Sequence, residues 1–323
     1  MNKYLGIFFF IFNTLLNSVA IAETFPQRPI KIVVPYGAGG AADQLTRMIG
    51  NKLSKELGQQ VVIENIAGAG TIVGTDRVAK SVADGYTLLL CSSTSFVNNP
   101  IFKNNLPYKV ERDFSGISLI ASSPMVLIAG LHTPYNSVAE LIKYAKENPG
   151  KVSYASAGPG STLQLAAELF QSQTGIKMLH IPYKSNIEAG QAVLSQQVDI
   201  AFDIVLSSQA LVQSKKLKGL ATTDLKRIAL LPNLPTVSEA GVLGYEIAAW
   251  YGFATPKGTP TEIIDKLNQA LKNISSDAEL KQNFNQLGLE LRTSEPNELM
   301  ALSKKDQQNL AKLIQERGIK VDQ

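Results

Sequence analysis

The chain has 323 residues, 45% of them hydrophobic and 18% charged, with a formal net charge of +4. That length suffices for two ordinary domains with real cores, and so mild a basic excess, with no Lys/Arg cluster interleaved with aromatics, excludes a nucleic-acid footprint. Cys91 is the only cysteine, which excludes an intramolecular disulfide, and the two histidines, His132 and His180, have no partner at ligand spacing for a zinc site.

Lys3, the apolar run YLGIFFFIFNTLL and the small-residue segment AIA ending at Ala22 read as a secretory signal over residues 1–22. About 13 apolar-rich residues fall short of the ~20 that span a bilayer. The mature chain, from Glu23, is therefore expected in the periplasm, and no later apolar run offers a membrane span.

IKIVVPY is the first strand, followed by a helix with Leu45, Met48, Ile49, Leu53 and Leu57 on one stripe, then the strand QVVIENI, a second helix and the strand YTLLLC. This is a βαβαβ pattern, hence a mainly parallel sheet flanked by helices. Cys91, closing the last strand, reads as a buried small hydrophobe. The pattern then restarts. After SGISLIASSPMVLIAG, Ser137 and Glu140 form a capping box, and the strands VSYAS, MLHIPYK, VDIAFDI and LKGLATT follow with helices between them.

The last strand lies in EIAAWYGFATPKGTP, with Thr259 expected as N-cap, Pro260 at N1 and Glu262 at N3 of the next helix. Two more helices are expected, one capped by Ser276 with Glu279, the other starting near Ser294. A helical tail with one leading strand cannot build its own sheet, so it returns to cover the first unit. Crossovers near Ser122-Ser123 and Ala248-Ala249 divide the chain into one lobe of residues 23–122 plus 249–323 and a second of residues 123–248. Two crossings between α/β lobes make a hinge with a cleft.

Three segments follow strands and precede helices: PYGAGGAAD (35–43), CSSTSFVNN (91–99) and ASAGPGSTLQ (155–164). At the carboxyl edge of an open α/β sheet, helix N-termini present unpaired N–H groups and a positive dipole end. Glycines let the backbone approach a ligand, and hydroxyls add neutral donors suited to a small carboxylate. The candidate binding set is Tyr36, Ala38, Gly39, Gly40, Ala41, Ser92, Ser93, Ser95, Ser156, Gly158, Gly160, Ser161 and Thr162. Tyr183, at the end of its strand, joins it as a cleft aromatic. Asp203 joins it as an acceptor for a ligand amine, the alternative being an N-cap for the next helix. Glu188 either complements its helix N-terminus or selects ligand charge. Tyr86 reads as core, and Trp250 as either hinge packing or ligand contact.

A competing reading takes GAGGAA as a loosened G-x-G-x-x-A fingerprint of an NAD(P)-binding oxidoreductase, with Glu64 as the ribose acid. An exported chain meets little NAD, Ala42 replaces the third glycine, and the other glycine loops are left without a role. A hydrolase lacks a G-x-S-x-G elbow, and His180 in its strand reads as structural.

The segments FPQRPIKIVVPYGAGGAADQLTR, NIAGAGTIVG, ADGYTLLL, GKVSYASAGPGST, HIPYK, VDIAFD and LPNLPTVSEAG together resemble the extracytoplasmic receptors of tripartite tricarboxylate transporters, the Bug or TctC family. The resemblance spans nearly all of the mature chain. It implies a two-lobed, type II periplasmic-binding-protein (Venus-flytrap) fold, with no catalysis and no cofactor. A small carboxylate would be captured as a monomer, with water bridging it to residues 36–41, and passed to membrane permease subunits. A periplasmic sensor relaying occupancy to a signalling partner would use the same cleft, and that alternative stays open. Thr71 and Ser185 stand where the family commonly has glycine, Gln164 where histidine is frequent, and Glu188 where a small residue or proline is usual.

Overall fold

The computed structural model describes residues 25–158, 161–183 and 185–318; the signal segment 1–22, Gly160 and Lys184 lie outside the described residues. The order is β1 (Ile30–Val34), α1 (Ala41–Leu57), β2 (Val61–Asn65), α2 (Ile72–Ala79) and β3 (Thr87–Ser92). A π-helical turn (Thr94–Asn98) then runs into α3 (Asn99–Phe102), followed by α4 (Val110–Asp113) and β4 (Phe114–Ala129). Next come α5 (Val138–Glu147), β5 (Ser153–Ser156), α6 (Thr162–Thr174), β6 (Leu179–Pro182), α7 (Asn186–Leu194), β7 (Ile200–Ile204), α8 (Val205–Gln213) and β8 (Lys218–Thr222). The chain returns through β9 (Ala248–Pro256), α9 (Thr261–Ser275), α10 (Ala278–Gln286), β10 (Glu290–Leu291) and α11 (Pro296–Arg317).

Every strand expected from the hydrophobic pattern forms, and the two-residue β10 is added to them. β2, β1 and β3 are parallel neighbours, and β5 is parallel to both β6 and β7. The returning β9 inserts antiparallel between β3 and β4. β4, 16 residues long, ties the sheets together. Its residues 114–124 pair antiparallel with β9, and residues 125–129 with β7 on one side and β8 on the other. The change of partners falls at Pro124, opposite Ala248, where the chain has no amide to give to a ladder.

Alternation at period two sorts the strand side chains onto opposite faces. Ile32, Val34, Leu88 and Leu90 pack under Leu45, Ile49 and Leu53 of α1 and Leu267 and Leu271 of α9. Val33, Leu89 and Cys91 face the other way, against Phe96, Phe114, Leu299 and Leu310. Leu127, Tyr154 and Phe202 pack against α5 and α6, whereas Val126, Ala155 and Ala201 pack against α7. Helices cover both faces, as parallel strands require.

Three helix starts differ from the sequence expectation. Pro260, not Thr259, is the N-cap of α9, because the Thr259 hydroxyl donates instead to Pro256 O at 2.8 Å. Asp277, one residue after Ser276, caps α10 by accepting from Leu280 N at 2.9 Å. Glu295 caps α11, with Glu298 completing the box, while Ser294 accepts from Leu119 N and so joins the tail to β4. Ser137 caps α5 as expected, accepting from Glu140 N at 3.2 Å. The Glu140 carboxylate reaches one residue further back than in a capping box, to Asn136 N.

Candidate functional site

The strand register brings both sets of carboxyl edges to one place. Ser92, ending β3, lies opposite Tyr251, whose neighbour Trp250 lies opposite Ser122 of β4. Ile204, ending β7, lies opposite Met125, three residues further along β4. The loops after β1, β3, β5, β6 and β7 therefore converge on the stretch of β4 that links the two sheets. In open α/β sheets this edge is where ligands bind.

After β1, residues 37–40 are exposed and lead into α1. Gly39 adopts φ +85, which favours glycine, whereas Gly40 is extended at φ −75. The amides of Gly37, Ala38, Gly40 and Ala41 have no hydrogen-bond partner among the described residues. Four unpaired donors at a helix N-terminus are what an anion, or water bridging to one, accepts from.

The Tyr36 hydroxyl lies 2.7 Å from Ser92 Oγ, and its ring meets Tyr251 edge-on at 6.2 Å. Burial pushes its phenol pKa up, opposed by the bonds to Ser92 and Thr94. Ser92 and Ser95 are buried and bonded to each other's groups, Ser95 Oγ accepting from Ser92 N at 2.9 Å. Of this serine set only Ser93 is partly exposed. Ser92 and Ser95 thus shape the β3 loop from inside and do not turn their hydroxyls to the open edge.

Tyr108 and Asn99 extend that network and were not legible in the sequence. The Tyr108 hydroxyl donates to Ser95 O at 2.7 Å, and Asn99 Nδ2 donates to Gly70 O at 2.8 Å and Thr71 Oγ1 at 3.1 Å. Thr71 sits at φ +80, a left-handed conformation that favours glycine. Asn99 is a buried amide, which needs such partners.

After β5, Ser156 is fully buried; its Oγ lies 2.7 Å from His180 Nε2 and accepts from Gly158 N at 3.1 Å. Gly158 adopts φ +96. Ser161 caps α6, accepting from Gln164 N and donating to Gly158 O at 2.7 Å. Thr162, partly buried, has no partner for its hydroxyl among the described residues. Tyr183 is partly exposed, its amide bonded to Ser156 O.

Asp203 is turned inward. It is 2% exposed, Oδ1 accepting from Ile204 N at 2.8 Å and Oδ2 from the Ser208 hydroxyl, and burial pushes its pKa up to about 6 against those bonds. It therefore braces the first turn of α8 from inside through Ile204 N and Ser208, although the N-cap position itself falls to Ile204 and not to Asp203. Trp250, 3% exposed, donates to Asp306 of α11 and shares a buried cluster with Leu299 and Leu310. Glu64 pairs with Lys31 of β1 at 2.7 Å, not with a ribose-sized gap. Glu188 stands exposed in the first turn of α7, which Ser185 caps.

Among the described residues no helix is long and apolar enough to cross a membrane, and no group of His, Cys, Asp and Glu could hold a metal. Residues 45–319 match the model for the tripartite tricarboxylate transporter family receptor. A protein from the tcbD-tcbE intergenic region of Pseudomonas sp. strain P51 is 37% identical over 302 residues, 93% of this chain and 90% of that one. The structure of R. palustris Rpa4515 with adipate is 32% identical, covers 91% of this chain and 99% of its own, and superposes with a TM-score of 0.72. MatC from Rhodopseudomonas palustris with bound malate is 27% identical, with coverage of 90% and 100% and a TM-score of 0.67. The chain has the two-lobed periplasmic-binding-protein fold, and it belongs to the tripartite tricarboxylate transporter receptor (TctC, or Bug) family, whose members are periplasmic solute-binding receptors and not enzymes.

Proposed function

We propose that this receptor captures a small dicarboxylate between lobes of residues 23–122 plus 249–323 and 123–248 and passes it, as a monomer, to permease subunits of a tripartite tricarboxylate-type transporter. The observation that carries this reading is the row of amides at residues 37, 38, 40 and 41 with no partner among the described residues, in a loop at the carboxyl end of β1, as the loop into α6 is at the carboxyl end of β5. Related proteins hold adipate and malate, two-ended acids that can span two such donor sets. In this reading Tyr36, Ala38, Gly40, Ala41 and Ser93 serve one end of the solute, and Gly158, Gly160, Thr162 and Tyr183 the other. Gly39, Ser92, Ser95, Ser156, Ser161 and Asp203 hold those loops in shape.

Neutral donors match a carboxylate's lone pairs without a fixed counter-charge, and charge-assisted hydrogen bonds from both lobes exist only when the lobes close. Ligand therefore shifts the population toward closure. A micromolar dissociation constant corresponds to about −8 kcal/mol, within reach of several such bonds after ordering costs. Export by the signal segment, with cleavage after Ala22, puts the receptor where solute and permease meet.

The test is a thermal-shift screen of ligand-stripped mature protein against di- and tricarboxylates, amino acids, aromatic acids and NAD. A ligand at 100 times its dissociation constant adds about 2.7 kcal/mol. Stabilisation by a dicarboxylate and none by NAD is expected. Stabilisation by NAD alone would return the dinucleotide reading.

A further inference from the structure

We infer that Asp43, Asn65 and Arg47 form a clamp that fixes the β1–α1 loop as a rigid amide cradle, so that all three are positioning residues for solute capture. The inference rests on the reading that this loop receives the solute, but the clamp itself is a matter of the chain's own geometry.

A loop of Tyr36, Gly37, Ala38, Gly39 and Gly40 carries three glycines and would be among the most mobile stretches of an unsupported backbone. Here both of its ends are tied. Asn65 Nδ2, at the end of β2, donates to Tyr36 O at 3.2 Å and to Asp43 Oδ1 at 3.0 Å. Gly39 N donates to Asp43 Oδ2 at 2.9 Å, and Gln44 Nε2 donates to Gly39 O at 2.8 Å. Arg47 closes the ring, Nε donating to Asp43 Oδ2 and Nη2 to Asn65 Oδ1, each at 3.0 Å. The ring uses the carbonyl of Tyr36 and both groups of Gly39. It leaves the four amides at 37, 38, 40 and 41 unclaimed.

A buried carboxylate beside an anion-binding loop is, taken alone, the wrong charge in the wrong place. Asp43 is 3% exposed, so its charge is little screened by water. Arg47, Gly39 N and Asn65 all donate to it and hold its carboxyl below the usual carboxylate range despite the opposing effect of burial. Paired with Arg47 it is neutral toward an incoming anion, and both its oxygens are spent on holding the loop. A glycine loop fixed in advance does not lose that freedom on binding, which is the energetic use of preorganisation.

The test compares ligand-free wild type, Asn65→Ala and Arg47→Met by backbone 15N relaxation, then by calorimetry with adipate and malate as probes. Neither Asn65→Ala nor Arg47→Met places a side chain in the cradle, and Arg47→Met keeps the stem of a half-exposed residue, so at least one variant remains folded for comparison. Order parameters at residues 37–40 should fall from about 0.85 toward or below about 0.6, with the rest of the backbone unchanged. Affinity for whichever probe binds should fall at least tenfold in the same variants. Unchanged order parameters at residues 37–40 in both variants overturn the clamp. A loosened loop with unchanged affinity overturns its positioning role. Failure of the wild-type protein to bind any acid of the screen counts against the proposed function, while the order parameters still decide the clamp.

Discussion

His180 Nε2 lies 2.7 Å from Ser156 Oγ, and the imidazole stacks on the Tyr154 ring with centroids 4.8 Å apart and planes 12° from parallel. The imidazole tautomer sets which of the two donates, and Ser156 Oγ accepts in turn from Gly158 N. Burial holds the imidazole below its ordinary 6.5, with Glu168 opposing. The unfolded chain thus takes up the proton first as pH falls, so this group's stabilising contribution is present above pH 6.5 and declines below it. The difference in unfolding midpoint between wild type and His180→Gln should therefore narrow as pH is lowered from 8 to 5. Parallel curves would exclude His180 as the titrating group.

Asp203 titrates in the opposite sense. Its folded pKa, raised to about 6 from 3.8, means the folded state keeps the proton longer. Its contribution is full below pH 3.8 and lost as pH rises through 6. Asp203→Asn retains an acceptor for Ile204 N and can donate to Ser208. Relative to wild type it should gain stability between pH 4.5 and pH 8 in urea unfolding; a constant difference across that range counts against the assignment.

Gly40 is extended, and a Cβ there would meet only Gly37 O at 3.9 Å. Gly40→Val should fold with an unchanged midpoint and yet bind the preferred dicarboxylate at least tenfold more weakly, about 1.4 kcal/mol. Gly39→Ala, at φ +85, should instead cost about 1 to 2 kcal/mol of stability. Calorimetry and denaturant titration on both variants separate the two effects, and unchanged affinity in folded Gly40→Val places the solute elsewhere.

Ser161 and its neighbour Thr162 should also part company. Ser161→Ala removes the α6 cap and should cost about 1 kcal/mol of stability. Thr162→Val removes a hydroxyl with no partner among the described residues and should leave stability unchanged while weakening dicarboxylate binding about tenfold, as loss of a hydrogen bond to a charged group does. A stability loss for Thr162→Val with full affinity would reverse these roles.

Intact-mass measurement of exported protein should give a chain starting at Glu23. A species that keeps residues 5–16 would reject cleavage after Ala22 and the export argument built on it.

The order of the nine expected strands and the placement of glycine loops at carboxyl ends were determined by the sequence. Those features depend on local alternation and on turn chemistry, which a single segment carries within itself. Only the tertiary structure decided that β9 lies antiparallel between β3 and β4 and that β4 changes partners at Pro124. Pairing partners are chosen by burial and amide satisfaction across long separations, and periodicity is silent on them. The same holds for the polar residues. Ser92, Ser95, Ser156 and Asp203 carry the chemistry of ligand donors and acceptors, but each has turned to a buried neighbour, because a buried polar group without a partner costs more than an exposed one gains. Asn65 and Asp43, 22 positions apart, meet only because β2 lies beside β1, and that adjacency adds the tie from Asn65 to Tyr36 O at the start of the glycine loop.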